Sequence, residues 1–161
     1  NARIVFDRFH VMKKVNDALN KLRKLLGSTA KRSKHLLLKN FNRLTEEKKQ
    51  ELEQVLSQSP CLRIAYEMKE EFRQIYETSK TFKSGQLQIE EWLRYAQLFY
   101  QEATQTIRKH LSGICNYFIS RTTSGVMEGI NNKIKLIKRQ GYGFTNFKNF
   151  RARLLAAFDD K

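Results

Sequence analysis

Apolar residues recur at every third or fourth position through most of this chain, which is the spacing of a buried helix face. Val11 and Val15 begin such a stripe, and Gly27 predicts the end of that helix. Thr45 precedes two glutamates and Pro60 follows a serine, so both positions predict helix starts. Helices are predicted at 11–26, near 36–38, at 45–56, at 60–76, at 86–118 with a break near 112–113, and at 125–139.

The first residues do not follow the helical spacing. Residues 2–6 form a short apolar run with β-branched Ile4 and Val5, which predicts a strand too short to form a sheet alone. The predicted fold class is therefore mainly α, a helical bundle with one short N-terminal strand. The residues predicted to be buried in the middle of the chain are Leu62, Ala65, Tyr66, Met68, Lys69, Phe72, Ile75, Tyr76, Trp92, Tyr95, Ala96, Phe99 and Tyr100.

The helix predicted at 125–139 has two distinct faces. Ser124 is a possible N-cap, and the glycines at 141 and 143 predict the helix end. One face is an apolar stripe of Met127, Ile130, Ile134 and Ile137. The other carries Glu128, Asn131, Asn132, Lys135 and Arg139 at steps of three and four.

The charge of the chain is strongly basic and unevenly distributed. The 161 residues carry 31 Lys and Arg against 16 Asp and Glu, a net charge of +15, which favours a polyanionic partner such as nucleic acid. Residues 1–44 have 12 basic and 2 acidic residues, and residues 45–102 have 8 and 11. Residues 103–158 have 10 basic residues and a single acid, Glu128. One DNA-facing surface could therefore combine both basic ends.

Glu128 has two interpretations. As a helix-start charge it would favour the positive helix N-terminus and pair with Asn132 or Lys135, worth about 0.3–1 kcal/mol. As a ligand it would hold Mg²⁺, which prefers oxygen donors, while nearby cations hold phosphates. Spacing alone favours the first interpretation, since one carboxylate cannot build a two-metal site.

The segment SGVMEGINNKIKLIKRQGYGFTNFKNFRARLL (124–155) closely resembles the C-terminal signature of the ISL-three family of bacterial insertion-sequence transposases. NARIVFDRFHVMKKVNDALNKLRK (1–24), HLLLKN (35–40) and SPCLRIAYEMKEEF (59–72) resemble earlier parts of the same proteins, so the resemblance covers essentially the whole chain. Ser124 departs from the family, which usually has Asn before this Gly.

This resemblance implies a DDE enzyme whose RNase H-like core binds divalent metal through two Asp and one Glu. Glu128 matches the catalytic, metal-binding Glu, and the N-terminal strand would belong to that core. Asp7 and His10 match a supporting DRFH element after the second Asp. Both catalytic Asp residues are then expected upstream of residue 1, so the chain is expected to be a C-terminal part that binds no metal tightly and is inactive alone. The parent enzyme would use Mg²⁺ or Mn²⁺ to cleave and transfer DNA strands.

The implied partner is DNA, at the transposon ends and the target. The residues expected to contact it are Asn131, Asn132, Lys135, Lys138 and Arg139, and with less support Arg121, Lys148, Arg151 and Arg153. The aromatic residues between 142 and 150 could stack on bases, although core packing is the stronger interpretation. A homo-oligomer is possible, and a bacterial cytoplasmic, nucleoid-associated location is expected, with no membrane-spanning segment.

The resemblance also divides the chain into a core strand with the DRFH element at 1–10, a helical insertion region at 11–120, and the catalytic-Glu and C-terminal helices at 121–161. The alternative is a non-catalytic helical DNA-binding module or a decayed transposase remnant. From the residues alone, the Asp7 and His10 pair favours a structural hydrogen bond over a metal site. The His and Cys residues have no zinc-site spacing.

Overall fold

The computed structural model describes residues 4–27, 32–121, 125–141 and 146–158. Within these residues the chain is mainly helical, which confirms the predicted fold class. The helices are α1 (Arg8–Leu25), α2 (Lys34–Leu38), α3 (Glu46–Ser57), α4 (Pro60–Thr78), α5 (Phe82–Ala96), α6 (Gln101–Lys109), α7 (Leu111–Cys115), α8 (Tyr117–Ser120), α9 (Gly125–Gln140) and α10 (Phe147–Phe158), with a 3₁₀ turn at Phe41–Arg43. None of these described helices combines the length and apolarity needed to cross a bilayer.

The chain divides into two compact units, Asn1–Thr122 and Thr123–Lys161. The first unit holds α1 to α8 around one buried apolar core. The second unit holds α9 and α10, which pack against each other.

The helix boundaries largely follow local sequence signals. The Thr45 hydroxyl accepts a hydrogen bond from the Lys48 amide at 3.4 Å, and the Ser59 hydroxyl accepts one from the Leu62 amide at 3.2 Å. Pro60 is the first residue of α4, where its missing N–H costs nothing. Gly27, just past the end of α1, has φ of 73°, a conformation that glycine adopts without strain. These predicted boundaries are confirmed.

Helix α4 is the centre of the first unit, because α1, α3 and α5 all pack against it. All but one of its residues predicted to be buried have less than a tenth of their surface exposed, and Met68 is half-buried. Two aromatic side chains from the following helices attach to its backbone. The Trp92 indole N–H donates to the Met68 carbonyl at 2.8 Å, and the Tyr100 hydroxyl donates to the Ala65 carbonyl. Both rings are therefore buried with their polar atoms satisfied.

The region predicted at 86–118 is helical, but it is broken at other places than the predicted 112–113, which lies inside α7. The structure places α5, α6, α7 and α8 in this region, with a turn at 97–100 between α5 and α6. Tyr100 leaves helical geometry, with φ of −125° and ψ of 39°, and its ring is fully buried beside Trp92. The break coincides with the hydrogen bond from the Tyr100 hydroxyl to the Ala65 carbonyl, 35 residues away in the chain, which the helical spacing of the sequence does not encode.

The predicted N-terminal strand is also corrected. Residues 4–7 are neither strand nor helix, and residues 2 and 3 lie outside the described residues. The segment is attached to the α7 region instead, since the Phe6 amide donates to the Gly113 carbonyl at 3.1 Å. The Asn116 side chain also donates to the Ile4 carbonyl at 2.8 Å. A β-strand needs a neighbouring strand for its backbone groups, and the described residues supply none.

Lys69 is an ionisable residue buried in the core, with only 1% of its surface exposed. Its ammonium group donates to the carbonyls of Leu37 and Lys39 at 2.9 and 3.2 Å, and lies 2.5 Å from the Glu70 carboxylate. Burial lowers the pKa of Lys69, and the charge of Glu70 opposes this shift. Lys69 therefore fastens the C-terminal end of α2 to α4 through a paired, hydrogen-bonded charge.

We expect Lys69→Met to lower the free energy of unfolding by about 3 kcal/mol, because the α2 carbonyls and Glu70 lose a buried partner. Lys48→Met is the matched control, since Lys48 is exposed and pairs only with exposed Glu51. The control should change the free energy of unfolding by less than about 0.5 kcal/mol. Equal effects of both substitutions in urea unfolding would contradict the buried role of Lys69.

Candidate nucleic-acid interface

Helix α9 carries the candidate site on one of its faces. Its apolar side faces α10, where Ile137 is buried and Ile130 and Ile134 are half-buried; the Met127 side chain and Ser124 lie outside the described part of the chain. Lys133 adds to this packing by donating to the Ala157 carbonyl, and its ammonium lies 4.6 Å from the Phe158 ring centre. The orientation of α9 in this unit is therefore set by a hydrophobic stripe and one lysine.

The opposite face of α9 is polar and open to solvent. The predicted site residues on this helix are all exposed: Glu128, Asn131, Asn132, Lys135, Lys138 and Arg139. Within the residues that the structure describes, Glu128 forms no ion pair, and neither Lys135 nor Arg139 has a carboxylate partner. The predicted pairing of Glu128 with Asn132 or Lys135 is not seen there.

The helix dipole accounts for part of this charge pattern. Glu128 lies in the first turn of α9, and Lys138 and Arg139 lie in the last turn. Each charge complements the helix dipole at its end, which contributes about 0.3–1 kcal/mol. Lys135 and Asn132 lie in the interior of α9, so the dipole does not account for them.

Two glycines on this helix are a feature that the sequence interpretation missed. Gly125 and Gly129 are one turn apart, and Gly129 adjoins Glu128 in the chain. Each glycine inside a helix costs about 0.5–1 kcal/mol relative to alanine. A Cβ built on Gly129 would meet no atom within 4 Å, so packing in the described structure does not require the glycine. The pattern of Gly on either side of Glu128 could have revealed an open approach to the backbone.

The remaining basic candidates have different surroundings. Arg121 has φ of 50°, and its guanidinium donates to the Ser79 carbonyl at 2.8 Å, so it links the end of α8 to the end of α4. Arg151 and Arg153 are exposed on α10, but residues two apart point to different sides of a helix. Lys148 is also exposed. Its backbone amide donates a hydrogen bond to the Asn146 side-chain oxygen at 2.9 Å, at the start of α10.

Asp7 and His10 lie at the start of α1 in the first unit. The Asp7 carboxylate caps α1 by accepting from the Phe9 amide at 3.1 Å, and its second oxygen lies 3.5 Å from His10 Nδ1. His10 is largely exposed. This geometry is that of a helix cap with a neighbouring imidazole.

The described residues contain no group of three His, Cys, Asp or Glu side chains that could hold a metal ion. Glu128 nevertheless has the chemistry of a ligand for a hard divalent cation, because its carboxylate oxygens are exposed and unpaired among the described residues. The amide oxygens of Asn131 and Asn132 lie on the same face as further oxygen donors. Glu128 thus fits as one contributor to a metal site, and the described residues do not complete such a site.

Comparison with curated proteins finds transposases among the relatives. The chain is 28% identical to the transposase for insertion sequence element IS1001 of Bordetella parapertussis, over 98% of this chain and 42% of that protein. It is 28% identical to the transposase for insertion sequence element IS1557 of Mycobacterium tuberculosis, over 71% of this chain and 26% of that protein. A Lactococcus lactis protein named ATP-dependent protease is 30% identical over 73% of this chain and 36% of its own length.

The chain therefore spans less than half the length of each of these relatives. No solved structure matches the chain. A family model described as a transposase, that of the ISL-three group of DDE transposases, matches residues 1–154. The chain belongs to the ISL-three family of DDE transposases.

Proposed function

We propose that this chain is the part of a DNA transposase that contributes one catalytic carboxylate, Glu128, and a phosphate-binding face on α9 to metal-dependent strand cleavage and transfer. The observation that carries this proposal is the α9 face, where one exposed acid shares a surface with exposed amides and cations that have no acidic partner among the described residues. The family match supports DNA as the substrate. The sequence has no GxxxxGK[ST] motif, so ATP is not part of the proposal.

The cations of α9 provide the phosphate contacts in this proposal. Lys135 lies two turns beyond Glu128, and Arg139 lies one turn further, so α9 spaces these charges about 10 and 16 Å from Glu128 along its axis. Cations without an internal partner keep their full attraction for phosphate, and each contact releases a counterion from DNA. Such contacts position the DNA backbone without reading its sequence. The exposed amides of Asn131 and Asn132 can donate to phosphate or orient the Glu128 carboxylate.

Glu128 would supply one oxygen ligand to a divalent ion, Mg²⁺ or Mn²⁺, with further carboxylates contributed from beyond the described residues. A divalent ion bound there would activate water or a 3′-hydroxyl and stabilise the leaving oxygen. Glu128 would hold its position through the packing of α9 on α10, while Lys135 would neutralise the adjacent phosphate. The smooth surface beside Gly129 would let the DNA backbone approach the carboxylate closely.

The two structural units suggest separate roles. We assign residues 11–120, in the unit Asn1–Thr122, to the helical insertion region, and residues 1–10 of that unit to the core segment with the DRFH element; the unit Thr123–Lys161 covers most of the segment 121–161 that carries the catalytic Glu. Asp7 and His10 belong to the first unit, where we propose a supporting role through the α1 cap. A helical DNA-binding module without chemistry would share the α9 cations and differ only in the role of Glu128.

Replacing Lys135 and Arg139 by Gln should weaken binding of the chain to duplex DNA and make its salt dependence shallower. Two lost phosphate contacts lower the slope of log K against log salt by about 1.8. Lys48→Gln with Lys49→Gln is the control, because these surface lysines already pair with Glu51 and Glu46. Fluorescence anisotropy titrations at several salt concentrations test this. Equal losses for the two double variants would show that net charge, and not the α9 face, drives binding.

Glu128→Gln should reduce metal-dependent strand cleavage by at least about 100-fold in a transposase that contains this segment with the rest of its catalytic domain. Loss of one metal ligand removes several kcal/mol of transition-state stabilisation. The matched control is Glu47→Gln, which removes an exposed acid from the first turn of α3. If the Glu128→Gln variant cleaves labelled transposon-end DNA as fast as wild type while still binding it, the chain is a binding module and Glu128 has only the helix-start role.

Gly129→Ala should stabilise α9 by about 0.5–1 kcal/mol and impair strand cleavage, because the added methyl group occupies the open approach beside Glu128. The same substitution at Gly85 should destabilise the chain, since a Cβ there would clash with the Phe118 ring. Hydrogen exchange of the α9 amides measures the first effect, and cleavage of labelled DNA measures the second. Unchanged cleavage by the stabilised Gly129→Ala variant would rule out close approach at this glycine.

A further inference from the structure

The exposed cations of α1 and α2 form a basic surface of the unit Asn1–Thr122. Val11, Val15 and Leu19 bury one side of α1 in the core. The opposite side carries Lys13 and Lys24 together with one acid, Asp17, and Lys14 lies at its edge; all four are exposed. Helix α2 packs against α1, and the α1–α2 basic surface is defined by Lys13, Lys14, Lys24, Lys34, Lys39 and Arg43.

The charges of this surface are not neutralised inside the described structure. None of its six cations forms an ion pair with a described residue, although Lys14 lies close enough to Glu102 to lower the pKa of that carboxyl, after the larger effect of Lys21. The cations of α3 and α4 behave differently. Lys48 pairs with Glu51, Lys49 with Glu46, and Arg63 with Glu53. Helix α1 carries both kinds of cation, since Arg8 pairs with Glu77 and Lys21 with Glu102, and only the six cations named above define the α1–α2 basic surface.

The position of the α1–α2 basic surface is held by the core. Lys69 binds the carbonyls of Leu37 and Lys39, so the backbone that carries Lys39 is attached to α4. The apolar stripe of α1 attaches Lys13 and Lys24 to the same core. From Lys13 to Lys24 the helix rises about 16 Å, which is roughly half a turn of duplex DNA. Because the core fixes their positions, Lys13 and Lys24 can contact phosphates on either side of exposed Asp17 without a large loss of side-chain order.

We propose that the α1–α2 basic surface binds the phosphate backbone of duplex DNA, as a second contact besides α9. The inference rests on the proposed function for the nature of the partner. A membrane surface fits less well, because the apolar stripe of α1 that would enter the lipid is buried in the core. The contacts would be to phosphates, so they would add affinity and salt dependence without sequence preference.

The test compares three triple variants of the chain, each losing three positive charges. They are Lys13→Gln/Lys24→Gln/Lys39→Gln on the α1–α2 basic surface, Lys135→Gln/Lys138→Gln/Arg139→Gln on α9, and Lys48→Gln/Lys49→Gln/Arg63→Gln as the acid-paired control. Binding to a fluorescent duplex of about three helical turns is titrated from low to physiological salt, with poly-glutamate as competitor. Circular dichroism and thermal unfolding verify that the variants fold alike.

We expect the α1–α2 variant to lose about tenfold or more in affinity at physiological salt, with a log–log salt slope reduced by up to about 2.7. The control should stay within about twofold of wild type. If the α1–α2 variant matches the control while the α9 variant loses binding, the inference is wrong and the proposed function stands. Absence of DNA binding by the wild-type chain would overturn both. Competition by poly-glutamate as strong as by DNA of equal charge would show a general polyanion surface and overturn the assignment to DNA.

Discussion

The buried ammonium of Lys69 is the interaction on which the arrangement of the first unit depends. A charge removed from water must keep its hydrogen bonds, and Lys69 keeps them with the carbonyls of Leu37 and Lys39 and with the Glu70 carboxylate. The α2 helix has only five residues, too few to be stable through its own hydrogen bonds. Its position is therefore imposed by α4, together with burial of Leu36 and Leu37.

Helix α4 is also held by aromatic packing. The Phe72 and Trp92 ring centres are 4.4 Å apart, and Trp92 and Tyr100 are 5.9 Å apart. Because the indole and phenol groups donate to α4 carbonyls, these rings also fix the turn between α5 and α6. Helix α4 thus makes both a polar attachment to α2 and an aromatic attachment to α5 and the turn that follows it.

The sequence predicts helix boundaries well where they depend on contacts between residues that are close together in the chain. Capping at Thr45 and Ser59 and the φ of Gly27 involve residues within a few positions of each other, so they can be read directly. Even Lys69 follows the apolar stripe of α4, so its position alone predicts its burial. The turn at 97–100 could not be predicted, because it involves a hydrogen bond from the Tyr100 hydroxyl to the Ala65 carbonyl, and Ala65 is 35 residues away in the chain. Residues 4–7 likewise depend on partners more than 100 residues away.

In the candidate site, too, some features can be predicted from the sequence and others cannot. The helical period places Glu128, Asn132 and Lys135 on one exposed face, and the structure has them there. A metal site cannot be predicted in this way, because its ligands come together from distant parts of a chain, and helical spacing describes only residues that are neighbours on one helix. The two glycines near Glu128 can be seen in the sequence, but whether any neighbouring side chain packs against Gly129 depends on the fold.

The negative charge of Glu128 connects its two interpretations, as a helix-start charge and as a metal ligand. A carboxylate within a phosphate-binding face repels DNA, and its benefit at a helix start is at most about 1 kcal/mol. An uncharged cap would give much of that benefit without the repulsion. The carboxylate becomes favourable to DNA binding once a divalent cation lies between it and a phosphate, since both anions then share one counter-charge. Helix-start stabilisation explains how α9 tolerates Glu128, and the divalent cation of the proposed function would explain why an acid, rather than an amide, suits this place on a basic surface.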